Sequence, residues 1–301
     1  MTTIPQPEPV RSARRSVWWV RWFAAIPLST LYGFASLLAL LADRVFPYRR
    51  HVVEHNLRLA FPDFDDATLR RVITDYYRGF ADMLVEIIKS AALSRDELAE
   101  RVRITNLELV HELLAAGKPV LCLAAHQCNW EWMLLSFSAQ SNYPLDAAYK
   151  PLVDSWAERE MHKIRTRFGA RLVPADSLLA DIIQRRNVPR VIALVADQEP
   201  VTSERRHWLR FLNRDTAFFL GAEEIVRTTR YAALFIELRR VARGRYEMTL
   251  QPLAAAGERL EKGEFTERYA RLVEAQIRRS PPDWPWSHKR WKLKKPLYGS
   301  N

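Results

Sequence analysis

An imidazole and a carboxylate at i and i+5, His126 and Glu131, follow an apolar run in the stretch VLCLAAHQCNWEW at residues 120–132. An imidazole that titrates near neutrality can take a proton from an alcohol, and a carboxylate behind it would fix the tautomer and stabilise the imidazolium. The run at 119–125 is short, apolar and ends in a polar cluster, which predicts a buried parallel strand with His126 at its end. Trp130, Met133, Leu134 and Phe137 then recur at helical spacing. Asn129 therefore reads as an N-cap, and Glu131 falls in the first turn, where the helix dipole favours a carboxylate that can reach back towards the imidazole. On this reading His126 is the general base and Glu131 its orienter. The same spacing would also fit a core histidine followed by a surface glutamate.

The elements that must hold this pair alternate regularly. A strand at about 145–149, a helix at 152–168, a short strand at 171–173, a helix at 176–186 and a strand at 190–196 imply an α/β fold, with a mostly parallel central sheet and helices on both faces. Ligands gather at the carboxyl ends of such strands. Asp197 and Gln198 fall at another strand end and could face the same crevice as His126. Upstream, Asp65 and Asp66 open an amphipathic pattern through Val72, Tyr76, Phe80, Met83, Leu84 and Ile87, a helix or helix pair covering the sheet, and a helix at about 106–116 stops at Gly117. A helix from about 216, a strand pair near 231–252 and a helix at 264–279 complete the sheet.

A chain of 301 residues, 48% of them hydrophobic, is long enough for one large domain with an arm. Its net charge of +11 calls for an anionic partner: acidic phospholipid, nucleic acid or an acidic carrier protein. The two cysteines, Cys122 and Cys128, flank the motif too closely for a disulfide framework, so a reducing compartment is expected. Residues 1–16 form a basic polar tail. No charge occurs from Trp22 to Ala42, enough to span a hydrocarbon core, so 17–44 is expected to be an uncleaved membrane-anchoring helix. Arginines on both flanks leave its orientation open, and a helix half-sunk in one leaflet is the alternative. The main domain then covers 45–292, with a basic tail at 293–301.

Residues 199–215 read as a basic loop in which Arg205, Arg206, His207, Arg210 and Arg214 interleave with Trp208 and Phe211. Phosphate-bearing lipid or a carrier protein suits it better than nucleic acid, since the chain carries no nucleic-acid module. No nucleophile elbow, Walker loop or dinucleotide fingerprint occurs, and His126 with Glu131 lacks zincin spacing, so neither metal nor cofactor is expected. Cys128 as a thiol nucleophile is a competing assignment.

HQCNWE after a hydrophobic strand resembles the His-x4-Glu/Asp motif of the late, Kdo-lipid A type acyltransferases within the glycerolipid acyltransferase superfamily. NLRLAFPDF at 56–64, AYKP at 148–151, VADQEP at 195–200 and WPWSHKRWK at 284–292 are similar to further blocks of that family, in the same order. Lys150 stands where an arginine is common. The resemblance implies transfer of a fatty acyl chain from a thioester carrier, acyl carrier protein or acyl-CoA, to a hydroxyl of a membrane lipid. A lipid A precursor is the implied acceptor, at the bacterial inner membrane with the catalytic domain facing the cytoplasm. His126 and Glu131 are then the catalytic pair, and Asn129, Lys150, Asp197, Gln198, Arg205, Arg206, Arg210, His288 and Arg290 the substrate contacts. A lysophospholipid acyltransferase using acyl-CoA, and a non-catalytic tethered protein that binds carrier protein or lipid, are the alternatives.

Overall fold

A computed structural model describes residues 18–200 and 205–295. The tail expected at 1–16, the end of the one expected at 293–301 and part of the basic loop lie outside the described residues.

The amino-terminal arm is broken where the sequence suggested one helix. Pro27 cannot donate to the preceding turn, so α1 (Trp18–Ala25) stops before it and α2 (Leu28–Leu40) begins after it, ending in a wider π turn at Leu41–Val45. Leu28–Val45, 18 residues with a mean hydropathy of 1.3, is the one helical stretch among the described residues long and apolar enough to cross a membrane. Next come α3 (Arg50–Ala60) and α4 (Asp66–Lys89), a single long helix whose N-cap Asp65 accepts from the Thr68 amide. Then α5 (Arg95–Arg101) leads directly into β1 (Val102–Thr105), a strand the sequence pattern had not revealed.

The expected alternation follows: α6 (Glu108–Ala115), β2 (Val120–Ala124), α7 (Trp130–Gln140), β3 (Leu145–Tyr149), α8 (Ser155–Arg165), β4 (Arg171–Pro174), α9 (Leu178–Gln184) and β5 (Val191–Val195). From Arg206 onward the basic stretch is no loop. It is an antiparallel hairpin of β6 (Arg206–Phe211) and β7 (Arg214–Phe219), which buries Leu209, Phe211, Ala217 and Phe218 while charges occupy alternate positions. After α10 (Gly221–Thr229) come β8 (Ala233–Ala242), β9 (Arg245–Ala254) and α11 (Glu264–Arg279).

The main sheet has seven strands in the order β1-β9-β8-β2-β5-β3-β4, and only the β8 and β9 neighbours are antiparallel. The chain moves outward from β2 to β3 and β4, then back through β5 to β8. With right-handed crossovers this reversal puts the connecting helices on opposite faces. β2 lies at the centre with all five residues buried, as a strand covered on both sides requires.

Candidate active site

Sheet register builds the site. In the β2 and β5 pairing Ala124 stands opposite Val195, so two residues further on His126 faces Asp197. Their side chains meet: His126 Nδ1 lies 2.6 Å from Asp197 Oδ1, and the His126 amide donates to the same carboxylate at 3.1 and 3.2 Å. The Trp284 indole N–H supplies a further donor to Oδ2 at 2.8 Å, and the Trp130 ring stands edge-on to the imidazole with centroids 5.2 Å apart. The Tyr269 hydroxyl of α11 ties the two strand ends together, donating to the Ala124 carbonyl at 2.7 Å and accepting from the Ala196 amide at 3.2 Å.

Asp197 is fully buried, which by itself raises its pKa. The His126 charge and the donors from His126 and Trp284 outweigh that and hold the carboxyl below the usual carboxylate range. An ionised Asp197 accepting from Nδ1–H leaves Nε2 with a lone pair, and the His126 side chain keeps 15% of its surface open. Such an arrangement is chemically able to act as a general base with a carboxylate that orients it.

The carboxylate in contact with His126 is Asp197, whereas the local spacing pointed to Glu131. Glu131 is buried at the first turn of α7, and its two oxygens accept from Arg165 Nε at 2.9 Å and Nη2 at 2.5 Å. Burial disfavours the Arg165 charge, but the bonds and charge of Glu131 more than restore it, so the arginine pKa is raised. Among the described residues no hydrogen bond joins Glu131 to His126. The helical turn directs Glu131 to α8, whereas Asp197 arrives from the neighbouring strand.

Asn129 caps α7 as expected, accepting from the Trp132 amide at 2.9 Å, but it is fully buried and its Nδ2 donates to Glu86 at 2.8 Å. Both ends of the amide are therefore taken up by the fold and not offered to substrate. Glu86, on the helix expected to be a mere cover, also accepts from Tyr32 and Tyr246 hydroxyls, each at 2.7 Å. Burial raises its pKa against the opposing Arg240 charge and these three donors. Cys128, between His126 and Asn129, sits in the left-handed region at φ 54°, costly for a non-glycine residue, and its amide donates to the Asp283 carbonyl at 2.8 Å. The turn is thus pinned to the carboxyl-terminal segment.

The family model for bacterial lipid A biosynthesis acyltransferases matches residues 13–293. The chain belongs to that family. No curated protein matches it.

For a lipid A type acyltransferase the remaining expected contacts divide by exposure. Lys150 and Gln198, just past the ends of β3 and β5, are exposed on the edge of the sheet that carries His126. Arg205 and Arg210 are exposed on the β6 side of the hairpin, Arg205 facing Glu224 at 3.3 Å, while Arg206 lies over the Trp208 ring at 5.3 Å. Arg290, expected at a head group, is instead 1% exposed. Its Nε and Nη2 donate to the Asp197 and Ala217 carbonyls at 2.7 Å each, and burial brings its pKa down to about 10. It holds the Asp197 backbone in place. His288 is half-buried, and burial followed by the Arg290 charge keeps its pKa low. A narrow recess of about 20 Å³, room for one water molecule, lies beside Trp130 and Trp284 and is lined by Tyr76, Phe80 and Met83 together with Arg240 and Asp283.

The thiol assignment for Cys128 fails on electrostatics. Both cysteines are buried without a cationic partner close enough to offset it: the Cys122 pKa is pushed up to about 12 and that of Cys128 goes well above the ordinary thiol value. Neither thiol should take up a maleimide in the folded enzyme at pH 8, while both should react in denaturant, as intact mass would show. Rapid native labelling of Cys128 with loss of activity would reopen the thiol route.

Proposed function

We propose that this acyltransferase moves a fatty acyl chain from an acyl thioester to a hydroxyl of a lipid A precursor, with His126 as general base and Asp197 as its orienter. The observation that carries the reading is the 2.6 Å contact between His126 Nδ1 and Asp197 Oδ1 at the ends of adjacent parallel strands. His126 Nε2 takes the acceptor hydroxyl proton as the oxygen attacks the thioester carbonyl. The tetrahedral intermediate then collapses, the carbon–sulfur bond breaks and the imidazolium returns its proton to the leaving thiolate. The developing oxyanion needs donors close by, for which the Lys150 ammonium and backbone amides at the strand ends are the candidates. Exposed Arg205 and Arg210 and the net charge of +11 suit an acidic acyl carrier protein as donor, with the phosphates of acyl-CoA as the alternative. Lys150, Gln198 and His288 line the acceptor side. The setting is the bacterial inner membrane, with the catalytic domain facing the cytoplasm.

Purified full-length chain, given an acyl carrier protein thioester or acyl-CoA together with a Kdo-bearing lipid A precursor, should yield one added ester and one free thiol per turnover by mass spectrometry. Direct transfer also requires both substrates together, so initial-rate lines should intersect. A burst of free thiol without acceptor, or no acylated lipid with either donor, would sink the proposal.

A further inference from the structure

The arm has two unlike sides. One stripe of α2, namely Leu28, Leu31, Ala35 and Ala39, is buried, and the helix packs along α4. Beside that stripe runs a row of charged side chains. Lys89 Nζ donates to the Ala24 and Ile26 carbonyls at 2.7 and 3.1 Å, and Glu86 accepts from the Tyr32 hydroxyl at 2.7 Å. Arg243 donates to the Tyr32 carbonyl at 2.9 Å and to Ser36 Oγ at 3.0 Å while paired with Asp82 at 2.6 Å. Arg50 and Thr74 hold Asp43 at the far end. The other side is apolar and open: Trp18 is 79% exposed, Trp22 61%, Phe34 54%, Leu37 54%, Leu38 49% and Leu40 56%.

If α2 crossed a bilayer in this docked position, Lys89, Glu86, Asp82 and Arg243 would travel with it to hydrocarbon depth, where ionised side chains are strongly disfavoured. Length does not decide the matter, since Leu28–Val45 would reach about 27 Å as a helix. Lying flat removes the conflict of the charged row. The open face then enters one leaflet, with the tryptophans at the head-group level and the charged row above it, joined to the protein. Arg21 and Arg44 are exposed at the two ends of this face, and Arg21 shares an open recess with Trp18 and Trp22, a combination of guanidinium and indoles that suits a lipid phosphate.

We propose that the arm is an in-plane, single-leaflet docking surface for an anionic bilayer and does not span it. The proposal rests on the packing of the arm and not on the acyl-transfer reading, so its test needs no turnover. Ser16→Cys before the arm and Val153→Cys on the main domain give two reporters over buried native thiols. With a membrane-impermeant maleimide on sealed membrane vesicles of both orientations, the two positions should label from the same face. Leu37→Cys carrying an environment-sensitive fluorophore, bound to phosphatidylcholine and phosphatidylglycerol vesicles, should be quenched more by lipids brominated near the head group than near the chain end. Phe34→Ser with Leu37→Ser and Leu38→Ser should weaken vesicle binding at least tenfold with an unchanged circular dichroism spectrum. Labelling of positions 16 and 153 from opposite faces, quenching strongest from the chain ends, or vesicle binding indifferent to the triple change would each overturn it.

Discussion

His126→Ala is expected to lower kcat by roughly two to four orders of magnitude, the range for loss of a positioned general base, in a protein that still folds. Asp197→Asn should fall nearly as far, for a different reason. The wild-type carboxylate accepts from the His126 amide, Nδ1–H and the Trp284 indole at once. An asparagine has one oxygen for three donors and turns an amide N–H towards them. The imidazole then does better by accepting at Nδ1, which moves its proton to Nε2 and removes the lone pair that the reaction needs. Because both changes disable one unit, the double variant should be little worse than either alone. Glu131→Gln leaves the imidazole tautomer intact and should retain most of the rate. Since Asp197 is held below its ordinary range, its contribution to folding is complete above roughly pH 4 and lost only as the pH falls through the lowered value. The Asp197 carboxylate therefore stays ionised in any practical assay. Steady-state rates of the purified variants decide the matter: an active Asp197→Asn beside a folded but inactive Glu131→Gln would return the orienting role to the helix.

Arg165→Met should cost about 3–5 kcal/mol of stability, the usual penalty for stranding one member of a buried ion pair. Glu131 is 3% exposed and both its oxygens depend on that guanidinium. The amino-terminal dipole of α7 compensates part of the lost charge, which favours the lower end of the range. For a chain of this size that corresponds to a drop in Tm of roughly 10 °C. Glu131→Gln combined with Arg165→Met should recover part of the loss, because the stranded charge goes with its partner. Thermal and denaturant unfolding of the single and double variants measure this directly. An unchanged Tm in Arg165→Met would show that the pair adds nothing to the fold.

The strand that ends at His126 was legible because buried parallel strands are short apolar runs with polar ends, a signature that β2 and β5 carry and that Asp146 interrupts in β3. The cap at Asn129 was legible for the same local reason. What escaped was long-range. His126 and Asp197 are 71 residues apart, and only the β2 and β5 register brings them together. Local spacing therefore pointed to the nearer carboxylate, Glu131. Arg290 was expected to contact substrate, because nothing local announces that two backbone carbonyls will take its guanidinium. The β6 and β7 hairpin was hidden by arginines at the outward positions of its alternation, and β1 by its four-residue length. Pro27 was visible in the sequence, but an uncharged run of sufficient length overrode the break it signals.

Glu86 draws its three donors from three parts of the chain: Tyr32 in the arm, Asn129 at the head of α7 and Tyr246 in β9. A carboxylate shared in this way makes the arm and the catalytic turn one heritable unit. An arm grafted from elsewhere could restore location, yet it would leave a buried acid short of a donor one hydrogen bond from the asparagine that caps α7. A trimmed, water-soluble version of this enzyme therefore calls for redesign of the α4 face rather than a cut at residue 44.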